Sequence, residues 1–337
     1  MRKDCFVQFS VSTVVFLSLA TTLAAHAPLQ HGRNDSLARA FFIENFQKSW
    51  ALYERLEPPQ TALYYRFDLR TGDRLHLSLF APERTEFPPA IYILGPGLPT
   101  PERMPEAIEV PAGYGAIVIP SQPGLHPKYE PFTPTYLYPL AEHDYIAPSE
   151  GTYYAAIYEP RRAGAFGLAI GYVESFSPTE RLLIPLNTAR IRLWEGQSRL
   201  FAFGPAVLVL VLGLLVIVSR KYGAATTRPT ARFWLASIGG LLCLGTTAVV
   251  LAQMGRAAAQ GLLVPSMFIS FLLAAIPALI GFLTIRSERR STAHRGPRFA
   301  LVFLGLAGFV FWSGFLAGPA MTLLAGLLPG KRRTPTS

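Results

Sequence analysis

The chain has 337 residues, 50% of them hydrophobic and 15% charged, with a mean hydropathy of +0.30 and a net charge of +10. This is too apolar for an ordinary soluble enzyme and points to membrane-spanning segments. The charge does not indicate nucleic acid: residues 28–198 carry 15 Lys/Arg against 19 Asp/Glu, a net of −4, while residues 199–337 carry 14 against one acid, Glu288, a net of +13. Positive charge therefore sits on the loops of the apolar region, where it sets orientation, and forms no basic stripe on a folded domain.

The chain opens "MRKDCFVQFSVSTVVFLSLATTLAAHAP". A basic start, an apolar run and then small residues read as a secretory signal over 1–25, with cleavage after Ala24 or Ala25, so that the domain beyond it is extracytoplasmic. Cys5 and Cys243 are the only cysteines. An exported domain over 28–196 therefore has neither a disulfide nor a Cys-based zinc site and must be held by its core. The polar stretch to about residue 40 reads as loose. "SWALYERL" reads as a short helix, with Ser49 as N-cap and Leu52 and Leu56 one turn apart.

Strands come next. "LYYRFDLR" puts Leu63, Tyr65, Phe67 and Leu69 on an inner face and Tyr64 on the outer one. "LHLSLF", "AIYILG", "YGAIVIP", "TYLYP", "GTYYAAIY", "AFGLAIGYVE" and "LIPLNTARIRLW" continue the pattern, with the Pro-rich loop "GPGLPTPERMPEAIEVPAG" between two of them. Residues 151–171 read as a β-hairpin. Eight short runs broken by Pro and Gly predict an antiparallel, jelly-roll-like β-sandwich rather than alternating βα units.

The string "SWALYERLEPPQTALYYRFDLRTGDRLHLSLFAPE" and the later "GTYYAAIYEPRRAGAFGLAIG" resemble the bacterial pre-peptidase C-terminal type of β-sandwich over roughly residues 49–171. The resemblance implies a sandwich fold and binding rather than catalysis. Members of that family accompany secreted hydrolases. No peptidase motif stands in this chain, and an apolar bundle takes the neighbour's place.

No G-x-S-x-G elbow, H-E-x-x-H, P-loop or dinucleotide fingerprint occurs, and no cofactor is expected. Two places could hold a metal. His26 becomes the mature N-terminus if cleavage falls after Ala25, offering an amine and an imidazole to copper, with His31 or another histidine as a third nitrogen. Glu142, His143 and Asp144 form the densest run of ligating residues, although neighbours in a strand point to opposite faces and the run also reads as a solvated loop. Tyr136, Tyr138, Tyr154 and Tyr158 belong to a tyrosine-rich stretch that reads either as a recognition face or as good strand formers with wettable hydroxyls. Arg161 and Arg162 read as a soluble turn or as the tip of a binding surface.

Four apolar segments, about 200–219, 233–254, 262–285 and 299–328, predict a four-helix membrane domain over 199–329. The first and third connections carry four and five basic residues against Arg256 alone in the second, which places them in the cytoplasm. The tail over 330–337, with Lys331, Arg332 and Arg333, then falls on the wrong side; a break near Gly318 and Pro319 into a span plus a re-entrant piece is one way out. The span segments so drawn hold no Asp, Glu, Lys, Arg or His, which argues against ion-coupled transport. They do hold small-residue packing pairs, Ala236 with Gly240 and Gly314 with Gly318. Trp194 and the arginines around it read as an interfacial collar. The leading expectation is a multi-pass membrane protein that displays a non-catalytic sandwich, with the lipid bilayer and a membrane or envelope protein as partners and no nucleic acid. A subunit of a copper or other metal enzyme, and a transporter or channel component, are the alternatives.

Overall fold

The computed structural model describes residues 26–57, 61–84, 88–122, 126–222, 229–261, 263–289 and 296–328. The signal segment, the basic tail, Arg228, Arg290 and Arg295 lie outside the described residues.

Among the described residues eleven strands build two facing sheets. The first runs in space as β1 (Ala27–Pro28), β3 (Trp50–Leu56), β11 (Gly164–Ile170), β5 (Arg74–Ala81), β9 (Thr135–Ile146) and β8 (Lys128–Glu130). The second runs as β2 (Phe41–Phe42), β4 (Leu63–Leu69), β10 (Gly151–Tyr158), β6 (Ala90–Gly95) and β7 (Gly115–Ile119). The core lies between them, with Leu52, Leu75, Leu77, Leu79, Phe166 and Leu168 from one sheet meeting Tyr65, Phe67, Ile91, Ile93, Tyr153 and Ile157 from the other. Alternation along each strand supplies these inner rows.

The structure corrects several expectations. The sheets are mixed, not antiparallel throughout: the two-residue β1 and β2 run parallel to β3 and β4. "SWALYERL" is strand β3, paired with β11. Leu52 and Leu56 are four apart, which suits a helix turn but is equally an even spacing that puts both on one face of a strand. "LIPLNTARIRLW" is not a strand but part of helix α1 (Pro178–Trp194). The signal for it stands in the residues just before: Ser177 Oγ accepts the Glu180 N–H at 3.2 Å, the Glu180 carboxylate accepts the Ser177 N–H at 2.7 Å, and Pro178 occupies the first helical position, a complete capping box.

Residues 151–171 are not a hairpin. β10 lies between β4 and β6 in one sheet and β11 between β3 and β5 in the other, so the segment between them crosses the sandwich. Tyr64 is not solvated either, being 1% exposed. The Pro-rich loop folds back over the outer face of the second sheet, packing Met104, Ala107, Ile108 and Tyr114 on Tyr64, Tyr92, Tyr154 and Tyr158. The Glu109 N–H donates to the Tyr64 hydroxyl at 2.8 Å.

Five apolar helices complete the described chain. α2 (Arg199–Tyr222), α3 (Ala231–Gln260) and α4 (Met267–Arg289) are long enough to cross a bilayer. The fourth expected span is instead a helical hairpin. α5 (Gly296–Val310) and α6 (Ala317–Leu327) are about 22 and 16 Å long, each short of the ~30 Å hydrocarbon core. They run antiparallel, Gly308 beside Pro319, Gly305 beside Leu323 and Gly326 beside Val302. The break comes at Trp312–Leu316, earlier than Gly318-Pro319, with Trp312, Gly314, Phe315 and Leu316 all at positive φ. Gly314 therefore shares no helix with Gly318, yet both pack on α3, Gly314 by Cys243 and Gly318 by Gly239 and Leu242. Gly240 meets Gly281 and Ile285 of α4, while Ala236 is buried against Leu301 and Ala325 of the hairpin. The long helices also reach further than the expected segments and take in charge at their ends: Arg232 of α3 pairs with Glu288 of α4 at 3.0 Å, both nearly buried.

Candidate functional site at the junction of sandwich and helices

The sandwich is seated on the helices by two sets of contacts. At the first, β8, β9 and the turn between them rest on α3 and α4. Tyr136 packs with Ala257 and Met267 and lies against Gly261. The Tyr129 hydroxyl and Ser270 Oγ are 2.8 Å apart, and Ser270 Oγ donates to the Pro131 carbonyl at 2.7 Å. Glu130, next to that carbonyl, accepts the Phe132 N–H at 3.0 Å. Burial pushes its carboxyl up to about 7.

The second set is carried by α1 and the four residues after it. The Trp194 indole donates to the Glu54 carbonyl at 2.8 Å and packs edge-on against Tyr53 and Phe80 on the outer face of the first sheet. Glu195 then turns into the helices and accepts from the Arg256 guanidinium at 3.1 Å. Gln197 and Gln253 exchange reciprocal amide bonds of 2.8 and 2.7 Å, and Gln197 also donates to Glu195 at 2.7 Å. Arg192, Glu195, Gln197 and Gln253 are all buried. Burial raises the Glu195 pKa against the pull of Gln197, Arg256 and Arg192, and lowers that of Arg192 to about 10. An open cleft of about 310 Å³ lies beside the network, lined by Gly196, Gln197, Ser198, Phe201, Ala252 and Arg256.

Sequence reasoning missed most of this site. Gln253 and Arg256 stood at or past the edge of the expected second span, and Glu195 and Gln197 stood in the expected collar ahead of the first. The one usable signal was polar residues at the ends of these two apolar runs.

The expected site residues are dispersed. His26 Nδ1 lies 2.6 Å from Ser49 Oγ, and burial, then the charge of His76, lowers its pKa. His31 is elsewhere, its Nε2 at 2.6 Å from Glu54 and its ring stacked on Phe41. Burial opposes the protonated His31 ring, but the Glu54 hydrogen bond and charge outweigh it and leave the pKa raised. Glu142, His143 and Asp144 lie in β9, where Glu142 and Asp144 are exposed and His143 turns to the other face. Asp144 accepts from Arg74 at 2.9 Å and pairs with His76 at 3.0 Å, bonds that hold its carboxyl at about 2. Among the described residues no three His, Cys, Asp or Glu side chains converge to hold a metal ion.

The tyrosines divide as well. Tyr136 and Tyr138 lie by the helices, while Tyr154 and Tyr158 lie under the Pro-rich loop. Arg161 and Arg162 stand exposed at the crossover, where their N–H groups donate to the Glu159 carboxylate. No protein-family model matches the chain, and no curated protein is similar to it in sequence.

Proposed function

We propose that this chain is a membrane-embedded, non-catalytic interaction protein that presents its sandwich to an envelope partner in one fixed orientation. One observation carries the reading. The two parts are joined by buried polar bonds, Glu195 to Arg256 and Gln197 to Gln253, where a tethered module would have a solvated linker. Buried charge is costly to retain and does more for specificity of arrangement than for stability. A sandwich held this way presents a constant surface, and Arg161 and Arg162 are exposed on it. The resemblance to pre-peptidase C-terminal domains supports the same choice of binding over catalysis.

The test is photo-crosslinking in intact cells, with a benzophenone residue at Arg161, at Arg162 and, as a control, at the membrane position Leu212. The reading expects one discrete protein adduct from the two crossover positions and none of that size from Leu212. Absence of any adduct from the crossover and from the neighbouring exposed turns would end it.

A second reading, a transporter or channel component, is favoured by the re-entrant hairpin. Non-helical backbone at membrane depth, Trp312–Leu316, is tolerated where protein or water shields it. There Ser313 is fully buried, and the Gly314 N–H donates to Thr246 Oγ1 at 2.8 Å. Ion and solute flux into liposomes bearing the purified protein, against the same liposomes without it, tests this reading; equal flux removes it.

A further inference from the structure

Helix α1 runs along strand β3 of the first sheet and is held at both of its ends. Lys48 pairs with Glu180 at 2.7 Å near its start, and the Trp194 indole reaches the Glu54 carbonyl at its end. At its first turn the Trp312 indole, from the tip of the re-entrant hairpin, donates to the Arg181 carbonyl at 2.7 Å. The helix is thus fixed between the sandwich and the membrane helices. It nevertheless leaves a ridge of large apolar side chains uncovered: Leu182, Leu183, Leu186 and Leu193 are between 38% and 49% exposed. Leu182, Leu186 and Leu193 fall at i, i+4 and i+11, which is one face. Arg181 and Arg190 are exposed beside them.

We infer that α1 is an in-plane interfacial helix whose leucine ridge is sunk in the outer leaflet of the bilayer. The inference rests on the reading of α2, α3 and α4 as membrane spans. Lipid is the occupant because the ridge is continuous with a surface that already faces lipid. Four residues separate the end of α1 from α2, whose first turn carries Leu200 at 81% exposure, with Val207, Leu208, Val211 and Leu212 beyond it, all about half exposed. The composition fits the same place: leucines reach the acyl boundary while Arg181 and Arg190 extend to phosphates. A helix so placed ties the seating of the sandwich, the tip of the re-entrant hairpin and the membrane surface to one element.

The test uses the full chain in phosphatidylcholine vesicles with Cys5→Ser and Cys243→Ala. A nitroxide is attached in turn to Leu182→Cys, Leu186→Cys and Leu193→Cys, with Leu212→Cys as the membrane control and Arg70→Cys, on an exposed sandwich turn, as the water control. Power saturation compares access of oxygen with access of a water-soluble nickel chelate. The three ridge positions should favour oxygen several-fold over Arg70 and lie shallower than Leu212. If Leu212 is lipid-exposed while the ridge behaves as Arg70 does, the inference fails and the membrane reading stands. If Leu212 itself favours the nickel chelate, the membrane reading fails first. Ridge positions closed to both reagents would show a protein, not lipid, covering the leucines, and would equally overturn the inference.

Discussion

Glu130 shows how one side chain links the seating of the sandwich to pH. Its folded pKa of about 7 stands above the ordinary 4.5 because burial disfavours the charge. The folded state therefore binds the proton more tightly than the unfolded chain, and the stabilising contribution is full below about pH 4.5 and lost as pH rises through about 7. Glu130→Gln keeps an acceptor for the Phe132 N–H and removes the titration. It should raise stability at pH 8 by about 2 kcal/mol, and leave it little changed at pH 5. Thermal unfolding of purified protein in detergent at the two pH values measures this; parallel profiles for variant and wild type would contradict it. Glu195 and Arg256 make the complementary case. Arg256→Ala leaves a buried carboxylate without its cation and should cost about 3 kcal/mol, whereas Glu195→Met with Arg256→Met removes both charges and should recover most of the loss. A double variant as unstable as Arg256→Ala would show that the pair itself, and not the orphaned charge, sets the cost.

Among the elements, the hairpin of α5 and α6 departs furthest from regular geometry. Trp312, Phe315 and Leu316 sit at φ of 51°, 55° and 66°, a region that costs a side-chain-bearing residue about 1 kcal/mol. The turn persists because it is held from both sides, by Thr246 on the Gly314 N–H and by the Arg181 carbonyl on the Trp312 indole. Gly314 is required here, since its φ is 72° and a Cβ would stand 3.0 Å from the Cys243 sulfur. Gly314→Ala should destabilise the protein by about 1–2 kcal/mol. Gly255→Ala, within α3 near its end and with nothing within 4 Å of the new methyl, should stabilise it by up to about 1 kcal/mol. Unfolding in detergent followed by tryptophan fluorescence compares the two, and shifts of the same sign would place the turn elsewhere.

For the whole molecule, the hairpin changes the topology. The Arg298 guanidinium donates to the Leu327 carbonyl at 3.3 Å, so the chain leaves α6 on the side from which it entered α5. Four full spans would have carried the basic tail across to the side of the sandwich. Three spans and a returning hairpin bring the chain at Leu328 back to the side of Arg298, which removes the need for a fourth crossing. Single cysteines at Leu328 and in the segment 290–295 should both resist an impermeant thiol reagent in intact cells, while one at Gly151 should react. Labelling at Leu328 together with Gly151 would restore the fourth crossing.

The residues by themselves determined the division into a strand-rich part and an apolar helical part, the positions of seven strands and the inner row of β4, because those arise from local periodicity and hydropathy. They also carried the helix signal at Ser177-Pro178-Thr179-Glu180, which lay in plain sight ahead of a stretch that resembles a strand. The tertiary structure decided what spacing cannot. Leu52 and Leu56 satisfy both periods, and the choice of strand came from β11 and β1 on either side. Tyr64 alternates outward like any exposed residue, and it is buried because a Pro-rich loop distant in sequence returns to roof that face. Glu195, Gln197, Gln253 and Arg256 are ordinary polar residues at the ends of apolar runs. They become one buried network only when the sandwich sits down on α3, since pairing across 56 to 61 positions of chain is a property of the packed arrangement and leaves no mark on local sequence.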